Sequence, residues 1–314
     1  MQEKVRVRSK TFGSHLLIFF LSFSVSGCFS ISGTLGEYFS SLQMAYMSED
    51  DPELVKSSLP LNMKILEAMI LKFPEDHFLL SAASSIFVSY TYGFVLDKAD
   101  MLRFDDYERS QKLYKRSLKL LNRGTSYAMR SVKAKYPDLK VSLRNKNSKE
   151  IAEVIKKYPF KKEDVETLYY AAASYAGAIV SSRGDTFYIL KLPILRSLIE
   201  KSLSLDSGWN DGALYTAMIS LVLLDTTKKM KDKKEQAVIY FNRAVIASDS
   251  NNCSPYITLA ENLSVQQQDK KGFLELVDKA LKVDTKKHFK NRLVNVLCQR
   301  KALWLRQNVE RLFS

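Results

Sequence analysis

The segment Val277-Asp-Lys-Ala280-Leu281-Lys-Val283-Asp284 decides the predicted fold, because it has the form of the end of a closely packed helix. A bulky residue is followed three positions later by a small residue, then by an aliphatic residue and a turn-forming Asp. The small residue lets a neighbouring helix approach, and the bulky one fills the gap beside it. Two other segments share this form in whole or in part: Ile199-Glu-Lys-Ser202-Leu203-Ser-Leu205-Asp206 and Phe241-Asn-Arg-Ala244-Val245.

These segments predict helical hairpins that stack side by side. Their small residues stand at Ser202, Ala244 and Ala280, so the spacings are 42 and 36 residues. The form resembles the second helix of tetratricopeptide units, which repeat every 34 residues or so. Insertions are therefore implied, such as the lysine-rich residues 228–234. A non-repeating helical bundle with chance alanines is the alternative.

Outward from these segments, residues 36–314 show helical periodicity and almost no strand-like alternation. Residues 61–73 place Leu61, Ile65, Met69 and Phe73 on one apolar face of a helix, which Pro74 ends. The amphipathic residues 290–313 predict a terminal helix that covers the last hairpin. We expect a single all-α domain, an α-solenoid of degenerate tetratricopeptide-like hairpins with a C-terminal capping helix.

The first 27 residues have the pattern of a secretion signal that is removed. A basic start is followed by the ten-residue apolar run of residues 16–25. A membrane-spanning helix needs about 20 such residues, so the run fits a signal peptide better. No later segment is predicted to span a membrane.

Val25-Ser26-Gly27-Cys28 resembles the bacterial lipobox, in which the cysteine receives a lipid and becomes the first residue of the mature chain. Cys28 is therefore the predicted lipidation site, and residues 28–35 the tether. A short buried helix with an incidental cysteine is the alternative. Residue 29 is Phe rather than the Asp of the inner-membrane retention signal, which favours the outer membrane over the inner membrane.

Charge and cysteine content restrict the partners. The chain carries +14, of which the leader contributes +3, so the mature chain has +11. This charge suits an anionic membrane surface or solubility. Nucleic acid is not an expected partner, because the basic residues are spread along helical faces. Cys253 and Cys298 could pair in an oxidising compartment, but apolar neighbours favour buried free thiols.

No catalytic constellation is apparent, so we do not expect an enzyme. The mature chain has two histidines, His77 and His288, and neither has metal-site or catalytic spacing. No metal site or cofactor is predicted. The acidic pairs Asp105-Asp106 and Glu163-Asp164 precede helices and are better explained as N-terminal caps.

Aromatic residues supply the candidate binding surface. The chain has 16 Tyr and 17 Phe, and several stand in the first helices of the predicted hairpins, which line the concave side of a solenoid. Core packing is the simpler explanation for any one ring, but together the rings predict an apolar cleft that carries hydroxyl groups. The predicted cleft residues are Tyr90, Tyr169, Tyr170, Tyr175 and Tyr215.

Four stretches resemble the T-component of TRAP transporters, the TatT family, and the resemblance runs from about Asp106 to the C-terminus. They are Asp164-Val-Glu-Thr-Leu-Tyr-Tyr-Ala-Ala-Ala, Trp209-Asn-Asp-Gly-Ala-Leu-Tyr215, Ser254-Pro-Tyr-Ile-Thr-Leu-Ala-Glu261 and Asn291-Arg-Leu-Val-Asn-Val-Leu-Cys-Gln-Arg-Lys-Ala-Leu-Trp-Leu. The short segments Gln268-Asp-Lys and Leu312-Phe313 share the resemblance.

The resemblance implies a periplasmic tetratricopeptide lipoprotein that associates with a TRAP-type substrate-binding protein. It also implies a homo-oligomer, such as a trimer, and an apolar cleft or channel that receives a small apolar ligand. It brings no catalytic motif to this chain. A general helical scaffold lipoprotein for envelope assembly is the second functional hypothesis.

Overall fold

The computed structural model describes residues 31–225 and 229–313, which form helices and turns without a strand. The predicted all-α fold is confirmed. The first helices are α1 (Ile31–Met47), α2 (Pro52–Lys72), α3 (His77–Tyr90), α4 (Asp97–Met101), α5 (Tyr107–Lys135), α6 (Pro137–Ser142), α7 (Ser148–Lys157) and α8 (Val165–Ser181). The others are α9 (Thr186–Ile189), α10 (Leu192–Leu205), α11 (Trp209–Leu223), α12 (Met230–Ala247), α13 (Ser254–Leu259), α14 (Lys270–Leu281), α15 (Arg292–Gln307) and α16 (Val309–Leu312). The signal peptide and residues 28–30, including Cys28, lie outside the described residues, and residues 31–35 of the predicted tether belong to α1.

The helices begin where the sequence supplies side-chain oxygens for their free amides. The Asp51 carboxylate accepts hydrogen bonds from the Glu53 and Leu54 amides at the start of α2. Asp106 accepts from the Arg109 amide at 3.0 Å, and Asp164 from the Lys161 amide at 2.7 Å. The interpretation as a cap is confirmed at Asp106, whereas Asp164 caps no amide of α8 and instead closes the short 3₁₀ turn Lys162–Asp164.

Successive helices pack as hairpins, and the last helices return to the first. The strongest contacts join α3 to α5, α5 to α8, α10 to α7 and α8, and α11 to α12. The terminal helix α15 covers α14 as expected, and it also contacts α1, α2 and α4. The terminal helix therefore contacts the first ones. We call the side of α8 that carries Tyr170 the inner side and the side that carries Tyr175 the outer side.

The small residues predicted at close helix contacts are buried. Ser202, Ala244 and Ala280 have no exposed surface. Gly212, which has φ of +83°, approaches Ala244 so closely that an added Cβ would lie 3.0 Å from the Ala244 carbonyl oxygen. A side chain at position 212 would therefore separate α11 from α12.

The expected apolar face of α2 is wrong. Leu61 and Ile65 are 66% and 45% exposed, and Phe73 is also exposed. The buried face instead carries Val55, Leu59, Met63, Leu66 and Ile70. Leucine and isoleucine occur on both sides of this helix, so the four-residue step fits two faces, and only the position of α3 selects one.

The expectation of free thiols is also wrong. Cys253 and Cys298 form a disulfide, with their Cα atoms 6.0 Å apart. The pair joins the start of α13 to α15. Their separation of 45 residues along the chain gave no sign of this proximity, because it depends on how α14 turns the chain back.

One helical stretch, His77–Met101, is long and apolar enough to cross a membrane by length and composition. No segment after the leader was expected to span a membrane. Most of it is buried inside the protein. It packs against α2, α5 and α8, and we therefore assign it to the core.

Candidate functional site

Three tyrosines and one glutamate meet where α3 passes α8, and we call Tyr92, Tyr169, Tyr170 and Glu166 the inner tyrosine cluster. Tyr92 stands on a π-helical turn, Thr91–Leu96, that continues α3. Its hydroxyl donates to the Ala173 carbonyl oxygen of α8 at 2.9 Å. A π-helical turn widens the helix and re-aims its side chains, and such turns are frequent at functional sites.

Gly177 permits this contact between the two helices. A Cβ at this position would lie 2.8 Å from Cδ1 of Leu121 and 3.0 Å from the Tyr92 ring. No side chain fits there unless Tyr92 moves. The glycine therefore sets the distance between the π-helical turn and α8.

Protein surrounds the hydroxyls of the cluster, although its side chains keep accessible surface. Tyr92 is 37% exposed, and Tyr169 and Tyr170 are half-buried. Yet burial raises the pKa of all three hydroxyls above the ordinary tyrosine value.

Glu166 lies at the same place, in surroundings that disfavour its charged form. Its carboxylate accepts a hydrogen bond from Nε2 of Gln43 at 3.3 Å, across from α1. Burial raises the pKa of Glu166, and the bond from Gln43 opposes the rise only in part. The side chains of Gln43 and Ser89 oppose the rise in the pKa of Tyr170, which burial causes. The cluster thus offers aromatic faces and neutral hydroxyls, which suit an uncharged apolar ligand.

The aromatic wall extends towards α11. The Tyr169 ring lies 5.4 Å from Tyr170 and 4.7 Å from Trp209, measured between ring centroids. Trp209 precedes the residues with positive φ, Asn210 to Gly212, that kink the start of α11. The kink places the indole against α8.

The family TRAP transporter T-component matches residues 48–313. The chain belongs to this family. It is also 28% identical over 275 residues to an uncharacterized protein of Treponema pallidum (strain Nichols), a match that covers 85% of this chain and 82% of the relative.

In this T-component the structure brings only two of the five predicted cleft tyrosines together, Tyr169 and Tyr170. Tyr90 is buried in the core, with its ring 5.9 Å from Phe94 and its hydroxyl accepting from Arg116. Tyr175 lies on the outer side of α8. Tyr215 stacks on Tyr240 of α12, with 6.3 Å between the ring centroids.

The sequence did not predict the cluster member Glu166 or its hydrogen-bond partner Gln43. They are 123 residues apart in the chain, so no local pattern joins them. Tyr92 could have been found, because it stands in the same aromatic-rich stretch as Tyr90. The π-helical turn, which the 3.6-residue period cannot anticipate, moves Tyr92 to the inner side.

A buried lysine and three carboxylates hold the terminal helix α15 of this T-component in place. The Lys301 ammonium is 3.8 Å from Asp97, 3.3 Å from Asp100 and 3.5 Å from Glu261. Glu261 stands on the other π-helical turn, Ala260–Ser264. Burial lowers the pKa of Lys301, but the three carboxylates outweigh it and raise that pKa. This group holds α15 against α4, so its role is structural.

The residues that the structure describes contain no group of three or more His, Cys, Asp or Glu arranged to hold a metal ion.

Proposed function

We propose that the mature chain is a lipid-anchored periplasmic T-component that binds a TRAP-type substrate-binding protein. We also propose that it offers the cavity beside the inner tyrosine cluster to a small, uncharged apolar ligand. The packing of Tyr92, Tyr169 and Tyr170, whose hydroxyls are surrounded by protein, is the observation that carries the proposal. Family membership supplies the transporter context.

Several features support this location and mode of action. The lipobox-like sequence before Cys28 supports an anchored protein, with the outer membrane favoured over the inner membrane. The Cys253–Cys298 disulfide suits an oxidising compartment such as the periplasm. The protein would act by binding rather than by catalysis, without a cofactor, and as a homo-oligomer.

Anchoring explains how a modest contact could suffice. A tethered protein raises the effective concentration of a soluble partner near the membrane. A contact with a dissociation constant near 1 μM, worth about 8 kcal/mol, would then hold much of the partner in place. The ligand would pass between two proteins that stay close to each other.

Analytical ultracentrifugation tests the partner. Residues 29–314 are titrated with the cognate substrate-binding protein in solution. A parallel titration uses the Cys28-anchored form in vesicles. The proposal predicts a complex at or below tens of micromolar. Absence of a complex at that concentration, together with an unoccupied cavity after incubation with an apolar probe, would leave the general scaffold hypothesis.

A further inference from the structure

A second groove lies on the outer side of α8, between that helix, α5 and α9. Its volume is about 440 Å³. Asn122, Thr125 and Lys133 of α5 form one wall, and Tyr175 of α8 and Tyr188 of α9 stand in the other. The predicted cleft residue Tyr175 faces this groove.

The groove is cationic and has no acidic residue in its lining. Arg130, Lys133 and Lys191 all line it. Arg130 is held at one end by its bond to the Pro74 carbonyl oxygen at 2.7 Å. Lys133 and Lys191 are half-buried, and no carboxylate of the described residues lies within ion-pair distance of either. Two partly desolvated ammonium groups without a counter-charge favour an anion.

Hydroxyl donors stand beside these cations. The Tyr188 hydroxyl accepts from Nδ2 of Asn122 at 2.8 Å, which fixes its position and leaves its proton free to donate. The Tyr175 hydroxyl has no hydrogen bond to another described residue. Burial raises the pKa of Tyr175, so its hydroxyl remains a donor. Both hydroxyls can therefore add hydrogen bonds to an anionic group.

The rest of the groove is apolar. Met129, Leu143 and Ile151 form part of the wall, and the Phe187 ring stands at the mouth under the Lys191 ammonium, 4.8 Å from its centroid. Leu190 beside it is 62% exposed. An anion alone would leave this surface unused, whereas an anion with an apolar body would cover it.

The groove is separate from the cavity beside the inner tyrosine cluster. Tyr170 and Tyr175 are five residues apart on α8, which places them about 140° apart around the helix. The inner side carries Glu166 and no cation of the groove. The two sites therefore differ in position and in charge.

We propose that this outer groove binds an organic anion with an apolar body, its anionic group held by the cationic lining to which Lys133 and Lys191 belong and its body lying along Met129, Ile151 and Phe187. The anion can be a free amphiphile or the headgroup of an anionic lipid.

A matched pair of fluorescent probes tests the charge requirement. 8-Anilinonaphthalene-1-sulfonate carries an anionic sulfonate, and N-phenyl-1-naphthylamine has the same apolar body without it. Residues 29–314, which include every described residue, are titrated with each probe. The proposal predicts saturable binding of the sulfonate that weakens at least about tenfold in the double variant Lys133→Met and Lys191→Met. Methionine keeps the length and the apolar stem of lysine.

Lys112→Met is the control, because Lys112 is exposed on the same helix and does not line the groove. It should leave sulfonate binding unchanged, and circular dichroism should show that the double variant is folded. Unchanged sulfonate affinity in the folded double variant would overturn the proposal. An equal loss in Lys112→Met would do the same, because it would show a general charge effect.

Vesicles distinguish the source of the anion. Sulfonate binding that depends on both lysines assigns the groove to a free amphiphile. Co-sedimentation with phosphatidylglycerol vesicles but not phosphatidylcholine vesicles, again dependent on both lysines and without sulfonate binding, assigns it to a lipid headgroup. If neither occurs, the groove does not recognise anions and the proposal is wrong.

Discussion

The two sides of α8 carry the same residue type in opposite surroundings. On the inner side, Tyr169 and Tyr170 adjoin Tyr92 and a glutamate whose pKa burial raises. On the outer side, Tyr175 adjoins lysines that have no acidic partner in the groove. The residue type is therefore the same on both sides of α8. The neighbouring side chains decide whether a neutral or an anionic ligand fits.

The largest expected effect comes from a substitution that disturbs only the inner side. Gly177→Val should destabilise the fold by about 3 kcal/mol, the upper end for overpacking, because its Cβ meets Leu121 and Tyr92. Denaturant unfolding measures it. Gly208→Val is the control, because the nearest atom to a Cβ there is an Asp206 oxygen 3.8 Å away. Equal stability of the two variants would show that Gly177 does not set the spacing of the inner side.

A somewhat smaller effect is expected at the start of α8, which both sides share. Burial opposes the charge of Asp164, but hydrogen bonds from Lys135, Tyr136 and the Lys161 amide outweigh it and lower the pKa of Asp164. Asp164→Asn should therefore cost about 2 kcal/mol at pH 7.

The pH dependence gives this prediction its sign. A lowered carboxylate pKa contributes stability above the ordinary value, near 3.9, and that stability is lost as the pH falls through the lowered value. Urea unfolding at several pH values should show wild type and Asp164→Asn converging at the acidic end. A constant difference down to pH 3 would contradict the assigned ion pair.

The smallest effect is expected from Glu166→Gln, which alters the charge of the inner side without changing its shape. Because the folded state raises the pKa of Glu166, wild-type stability should decrease as the pH rises from the ordinary glutamate value through the raised one. The variant lacks this decrease. The difference should stay below about 1 kcal/mol, since glutamine can still bond Gln43. Melting temperatures between pH 4 and 8 measure it, and a parallel pH profile in both proteins would mean that Glu166 is not desolvated.

The sequence was sufficient for those features that depend on neighbours along the chain. The helical class, the Asp106 cap and the small residues at Ser202, Ala244 and Ala280 are all local, and all lie where they were expected. The all-α class follows from them.

Features that depend on distant residues could not be predicted. The hydrogen bond between Gln43 and Glu166 depends on the position of α1 beside α8. The disulfide between Cys253 and Cys298 depends on the packing of α14 against α15. The five-tyrosine cleft divided for the same reason. Residues 169, 170 and 175 stand on one helix, but the positions of α3 and α5 decide which side becomes the cavity wall.

One pair of substitutions tests the central claim most directly, namely that the inner side of α8 takes an uncharged apolar ligand. N-phenyl-1-naphthylamine is titrated into wild type, Tyr170→Leu and Tyr175→Leu, three proteins that differ at one tyrosine of the same helix. The account predicts saturable binding that weakens about fivefold in Tyr170→Leu and is unchanged in Tyr175→Leu. Absence of saturable binding to wild type, or an equal loss in both variants, would contradict it.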